Sequence, residues 1–414
     1  MTGPVTETNT IQAKLAPLAD GFIVAAAVSL PWSTSAAAIF VVLWLLALIP
    51  TLSWVDIQRE IATPAGGLPV LLFAFGVVGM LWADVTLIER WKGLDSFFKL
   101  LAVPLLFAQF RRSARGHWVF AGYLFSCIAL LAVTTIVMVI PSLAISLLRF
   151  GNVLVKNAPT QSGEFVTCIF ALLYVAHEAI ERRHWRWVIA SIATIFAMLA
   201  NILYASTGRT ALAVAIVLLL LFAIKRLNAK SIALAISLSM LVGITAWYTS
   251  PYLRQRVDDI WLEIQVYEAT NARTSSGERI EFWKKSVEFV RQSPLLGHGT
   301  GSIHPLFEKA AAGQAGTAGV AAANPHNQTL AVAIQLGLIG AAVLWAMWIA
   351  HLFVFHGNGL AAWIGLVIVT QNIVGSFFNS HLFDFVQGWV YVIGVGVAGG
   401  LTLNSRAKPS IGGQ

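Results

Sequence analysis

The sequence predicts an all-α, polytopic membrane protein with about twelve transmembrane helices and one large, partly helical loop. Of its 414 residues, 57% are hydrophobic and only 11% charged, whereas soluble domains carry roughly 25% charged residues. Apolar runs long enough to cross a bilayer recur along the chain, and one polar stretch, residues 250–323, interrupts them.

The apolar runs read as spans at 20–34, 36–54, 67–83, 95–110, 117–141, 162–179, 185–204, 209–225, 231–249, 326–355, 358–377 and 384–403. The chain thus divides into a transmembrane bundle of about nine spans over 1–249, the loop 250–323, and a C-terminal group of spans with a short tail over 324–414. Residues 1–19 lack the basic start, short apolar core and cleavage site of a signal peptide, so the first run reads as a retained span. Basic clusters at Arg111-Arg112-Arg115, Arg182-Arg183-Arg186, Lys225-Arg226-Lys230 and Arg406 with Lys408 all fall on one side. The positive-inside rule makes that side, with both termini, cytoplasmic, and puts 250–323, Arg209, His326 and Asp384 on the outer side. The net charge of +8 is therefore topological, and no nucleic-acid partner is expected. Cys127 and Cys168 lie in apolar runs, which points to buried packing rather than a disulfide framework or a thiolate metal site.

Within the loop, Ser275 and Glu278 form an S-x-x-E capping box, after which Ile280, Trp283, Val287 and Val290 recur at helical spacing. An amphipathic helix from about 276 to 292 is predicted, lying on the bilayer surface or against the bundle. Pro294 ends it, and Gly297-His298-Gly299 with Gly301 form a tight turn. Ala310 to Ala323 is rich in Ala and Gly and reads as a mobile lid or a flexible linker.

Asn324-Pro325-His326-Asn327 follows directly. Asn324 reads as an N-cap and Pro325 as the first helical residue, which surrounds His326 with free amides at the positive end of a helix dipole. That setting favours the neutral imidazole a general base needs, and it attracts anions. Asn324 and Asn327 supply polar flanks. The blander reading is an interfacial histidine bonded to a loop carbonyl. Asp384, at the outer start of the last span, either orients the imidazole, stabilises its protonated form, or complements its own helix N-terminus. Ser206-Thr207-Gly208-Arg209-Thr210 joins two spans on the same side as an anion cradle or a snorkelling anchor. Arg279 lies one turn before Trp283, where a solvated or headgroup contact is equally open. No phosphate-binding loop, H-E-x-x-H pair or Cys/His metal spacing is present, so no cofactor or metal is expected. Asp258-Asp259 sits in the mixed-charge segment Arg254 to Glu263 and reads as a solvated helix face.

Taken in order, Ser206-Thr207-Gly208-Arg209-Thr210, Gly277-Glu278-Arg279 with Trp283, Pro294-Leu295-Leu296-Gly297-His298-Gly299, and Pro325-His326-Asn327 followed by Gly337-Leu338-Ile339-Gly340 resemble the O-antigen ligase family. The detailed likeness covers residues from about 200 to 345. It implies a GT-C-like glycosyltransferase at the periplasmic face of the bacterial inner membrane. Such an enzyme moves O-antigen glycan from undecaprenyl diphosphate to a sugar hydroxyl of lipid A-core, without a metal. By the same resemblance Arg209 and Arg279 bind the donor diphosphate and His326 is the base, while Asp384 matches less closely. Gln335 stands where relatives often carry an acidic residue. Direct displacement at the anomeric carbon predicts inversion. An O-antigen polymerase or an O-linked protein oligosaccharyltransferase of the same superfamily is the nearest alternative. An anion transporter using the same arginines is the more distant one, disfavoured because no charged or broken helix is read at the membrane midplane.

Overall fold

The computed structural model describes residues 5–140 and 158–407, which form helices and turns with no strand among them. Residues 1–4, Pro141 at the end of the fifth expected span, and Lys408 with the rest of the tail lie outside the described residues. In chain order the helices are α1 (Val5–Ser29), α2 (Thr34–Leu48), α3 (Trp54–Ile61), α4 (Pro64–Gly79), α5 (Leu87–Phe98), α6 (Ala102–Arg112), α7 (Gly116–Val139), α8 (Ala158–Glu181) and α9 (Trp185–Tyr204). They continue as α10 (Arg209–Arg226), α11 (Ala229–Thr249), α12 (Pro251–Thr270), α13 (Ser275–Gln292), α14 (Ile303–Ala311), α15 (Gln328–Val354), α16 (Leu360–Gly375) and α17 (Phe385–Ala407).

Each expected span coincides with a helix or, for 95–110, with the α5–α6 pair. Among the described residues, 8 helices are long and apolar enough to cross a membrane, or up to 9 if α3 and α4, bent by 90°, count as one broken span. The figure of about twelve thus includes helices that lack the character of a lone span. Helix α16 has only 16 residues, and α10 carries Arg209, Lys225 and Arg226 within 18. Side-chain caps start many of the helices: Ser33, Ser53, Thr63, Asn228, Ser250, Thr274 and Asn327 each accept a first-turn amide.

Helix α17 is the most enclosed, with 89% of its apolar window buried, and it packs along α6 and α16. Buried polar groups tie the bundle together. His351 Nε2 donates to the Ala65 carbonyl (2.8 Å), so its Nδ1 accepts from the Tyr391 hydroxyl (2.6 Å), joining α4, α15 and α17. Both cysteines are buried and free.

Helix α15 departs from the unbroken span that its apolar sequence predicts. Gly337 has φ 66° and ψ −168°, outside helical values. The groups freed there bond to the turn after α13. His298 N donates to Ile334 O (2.8 Å) and Gly299 N to Gln335 O (2.9 Å), while Leu338 N donates to Pro294 O (2.8 Å). The predicted tight turn is present, with positive φ at Gly297, Gly299 and Gly301. Its function is now visible: it completes the hydrogen bonding of a broken helix, as low-dielectric surroundings demand.

The segment 250–323 contains α12 and α14 as well as the expected amphipathic helix. Thr274, not Ser275, caps α13, since its hydroxyl accepts Gly277 N (3.1 Å), and Glu278 instead pairs with Arg273 (2.9 Å). Helix α13 lies against α15 through Phe282 and Phe289, which meet Phe307 and Ile334 in a small core of their own. The 310–323 stretch is pinned rather than free. Thr317 is fully buried and bonds Asn271 and Ala272, and Asn271 Nδ2 donates to Ala315 O (2.8 Å).

A Cβ on Gly337 would overlap the Leu295 carbonyl, and its backbone is left-handed. Gly337→Ala is therefore expected to cost about 1–3 kcal/mol, seen as a lower melting temperature of the purified protein. An unchanged melt would contradict the account of the break.

Candidate active site

Three neighbouring stretches build one pole of the bundle: the loop 324–327, the connection 376–384 between α16 and α17, and the first turn of α13. The loop is short of helix where the sequence predicts one. Asn324 is not the N-cap; Asn327 is, accepting Leu330 N at 3.0 Å, and α15 begins at Gln328. His326 precedes the helix with φ 54°, a left-handed conformation costing a β-carbon residue roughly 1–2 kcal/mol. Asn324 offsets that cost, because its Oδ1 accepts His326 N (2.8 Å) and the Ser380 hydroxyl (2.7 Å).

These bonds determine the imidazole tautomer. With Asn324 Oδ1 occupied by donors, its Nδ2 donates to Asn379 Oδ1 (3.2 Å), so the atom that Asn379 presents to His326 is an oxygen. His326 Nδ1 must then carry the proton that bridges to Asn379 (3.0 Å), leaving the Nε2 lone pair free. The orienting residue is therefore Asn379, not Asp384. Asp384 caps α17 by accepting Gln387 N (2.9 Å), its alternative reading from sequence. The Phe282 ring lies nearly parallel to the imidazole, with centroids 6.2 Å apart and 17° between planes. Burial lowers the His326 pKa, the bond to Asn379 opposes that, and the Arg279 charge reinforces it.

His326, Arg279, Asp384, Asn379 and His381 line one cavity of about 210 Å³, which Ala211 and Val214 of α10 also border. Arg279 is half-buried there and forms no hydrogen bond or ion pair among the described residues. Burial lowers its pKa first, followed by the charges of Arg209 and Arg256, with Glu263 opposing. It nonetheless remains a cation at neutral pH.

Arg209 is placed differently. Its guanidinium makes a fork to Glu263, with Nη1 and Nη2 each 3.0 Å from a carboxylate oxygen, while Nε donates to Arg256 O (3.0 Å). It does not line the cavity. Burial raises the Glu263 pKa, but hydrogen bonds from Arg209 and Ser276 outweigh that and hold it at about 2. The fork fastens α12 and the start of α13 to α10, which presents Arg279. The segment read as a solvated face is thus only partly so: Asp258 is exposed, whereas Asp259 approaches Arg209 to 3.9 Å and Glu263 binds it. Glu263, Asn379 and His381 escaped the sequence reading. Their signals, an acidic residue one turn after Asp259 and the polar run Asn379-Ser380-His381 before the last helix, gain meaning only from distant partners. No group of three His, Cys, Asp or Glu side chains converges among the described residues.

Burial also holds His381 at about 4, against the opposing Asp384 charge. The unfolded chain, with histidine near 6.5, therefore binds more protons than the folded one below that pH. Stability should fall as pH drops from about 6.5 through about 4, and His381→Gln should flatten the decline in melting temperature across that window. A parallel decline in the variant would remove His381 as its source.

Residues 193–345 match the family model described as O-antigen ligase, a segment containing Arg209, Arg279, His326 and Gly337. An uncharacterized protein of Haemophilus influenzae is 24% identical over 193 residues, or 46% of this chain and 48% of that protein. The match thus spans about half the length of that relative. The apolar helices make the chain a multi-pass membrane protein, with the matched segment running from the helix before Arg209 into the broken helix α15.

Proposed function

From the O-antigen ligase family assignment that residues 193–345 support, we propose that this chain transfers a glycan from undecaprenyl diphosphate to a sugar hydroxyl of lipid A-core. The bundle sits in the bacterial inner membrane with the basic ends of its helices and both termini in the cytoplasm. The 250–323 segment and the cavity of His326 then face the periplasm. Arg279 carries this reading: it is a half-buried cation without an anionic partner, in one cavity with an imidazole that has a free lone pair.

In the proposed reaction the acceptor oxygen attacks the anomeric carbon as the carbon–oxygen bond to the diphosphate breaks, inverting that centre. The hydroxyl proton passes to His326 Nε2, and Asn379 holds the ring through Nδ1. Charge growing on the leaving diphosphate is met by Arg279 directly, a role a guanidinium fills without a metal. Arg209 adds to the same positive field and can reach the diphosphate only by exchanging its fork with Glu263. Asn324 and Asn327 shape the loop, and Asp384 borders the cavity. The break at Gly337 does not favour a transporter, because the Ile334 and Gln335 carbonyls there are bonded by the 298–299 amides.

His326→Ala should abolish glycan transfer by about 100-fold or more while retaining donor binding. Arg279→Ala should instead weaken donor binding, and transfer by the wild type should persist with chelator. These outcomes are read with purified protein, undecaprenyl-diphosphate glycan and lipid A-core. Full transfer by His326→Ala would eliminate it as the base. Transfer to a growing glycan or to a peptide serine in preference to lipid A-core would assign the chain to the polymerase or the protein-glycosylating branch.

A further inference from the structure

A second cavity, of about 440 Å³, lies across the 324–326 loop from the first. This is a size that holds a small ligand, within the range of roughly 300–1,000 Å³. Asn324 and Pro325 line it, whereas the next residue, His326, lines the other cavity, and Asp384 borders both. The two spaces are thus separated by a wall one residue thick along the chain. The far side of the second cavity is formed by Glu89, Lys92 and Ser96 of α5 and by His304 at the start of α14.

The floor is tightly built. Gly301 N donates to Gln335 Oε1 (2.8 Å), and Gln335 Nε2 donates to Ala331 O (3.0 Å). A Cβ on Gly93 would overlap the Gly301 backbone, so α5 rests directly on the turn that completes the broken helix. Here Gln335, where an acidic residue would be expected from the family, acts through an oxygen that a carboxylate would also supply.

The two cavities differ in the charge they offer. The first presents the Arg279 cation, which suits a diphosphate, beside Thr210, Ala211 and Val214 of α10. The second offers hydroxyl, amide, imidazole and paired charged groups, with Glu89 and Lys92 at 2.8 Å, beside the ring of Phe383. Polar groups gathered beside an aromatic ring suit a hydroxyl-rich sugar. The attacking hydroxyl must also come close to both His326 and the donor, and the second cavity adjoins the first through the 324–326 loop and Asp384.

We propose that this second cavity is the acceptor subsite, holding a short saccharide whose attacking hydroxyl reaches the donor cavity past Asp384. The proposal rests on the glycan-transfer reading and adds to it the residues that select the acceptor: Glu89, Lys92, Ser96 and His304.

The test uses full-length protein with Ser96→Trp, which fills the cavity, and Lys92→Ala and His304→Ala at its exposed rim. Binding of delipidated core oligosaccharide without donor, binding of undecaprenyl-diphosphate glycan, and the KM for lipid A-core are measured separately. Ser96→Trp should weaken oligosaccharide binding and raise the acceptor KM by about ten-fold or more, with donor affinity unchanged. The rim variants should shift the same quantities by less, and they carry the test if Ser96→Trp does not fold. Wild-type protein that binds no oligosaccharide, or binding and KM unaltered in all three variants, overturns the subsite even if transfer stands. Oligosaccharide binding that the variants lose, in a wild type that transfers no glycan, upholds a saccharide site and removes the transfer reading.

Discussion

The exchange of backbone hydrogen bonds at Gly337 is the constraint on which the site depends. An apolar helix that breaks must find partners for its freed amides and carbonyls, because unsatisfied ones in a membrane cost several kcal/mol each. Here the 294–299 turn supplies them. The same turn is held to α4, since Thr300 N donates to Gly79 O (3.1 Å) and its hydroxyl to Gly76 O (2.6 Å). Fixing the turn fixes the end of α13, the seat of α5 and the first half of α15. Those elements carry Arg279, the second cavity and the loop of His326.

The polar architecture around His326 relies on amides rather than on an acid partner. A carboxylate against Nδ1 would stabilise the imidazolium and raise its pKa. Asn379 fixes the same tautomer with a neutral oxygen, and burial keeps the ring in its basic form. The Glu263 carboxylate is spent on Arg209 instead. The site thus combines an imidazole biased toward its neutral form with a half-buried Arg279 that has no anion of its own among the described residues.

The helical bundle was legible in the apolar runs because hydropathy over about 20 residues is a local property. The helix α13, the turn at 297–301 and the grouping of Arg279 with His326 were legible in motif order. Boundaries were less so. Asn324 and Asn327 are both acceptable caps, and the choice between them is made by Asn379 and Ser380, more than fifty positions away. Helix α12 lacks a clean apolar stripe, so its charges read as uniformly solvated, and only the distant Arg209 sets Glu263 apart. The break in α15 was invisible because Gly337-Leu338-Ile339-Gly340 suits a membrane helix on its own.

The broken helix also bears on how the protein is made. Ribosomal synthesis delivers the supports of the break first: Gly76 and Gly79 of α4, which hold Thr300, then the 294–301 turn that bonds the break, and only afterwards residues 334–339. The turn must therefore wait beside the bundle until α15 arrives, and the helix can then exchange bonds with a surface already in place. The order of residues along the gene product is thereby part of what makes a discontinuous helix affordable in a membrane.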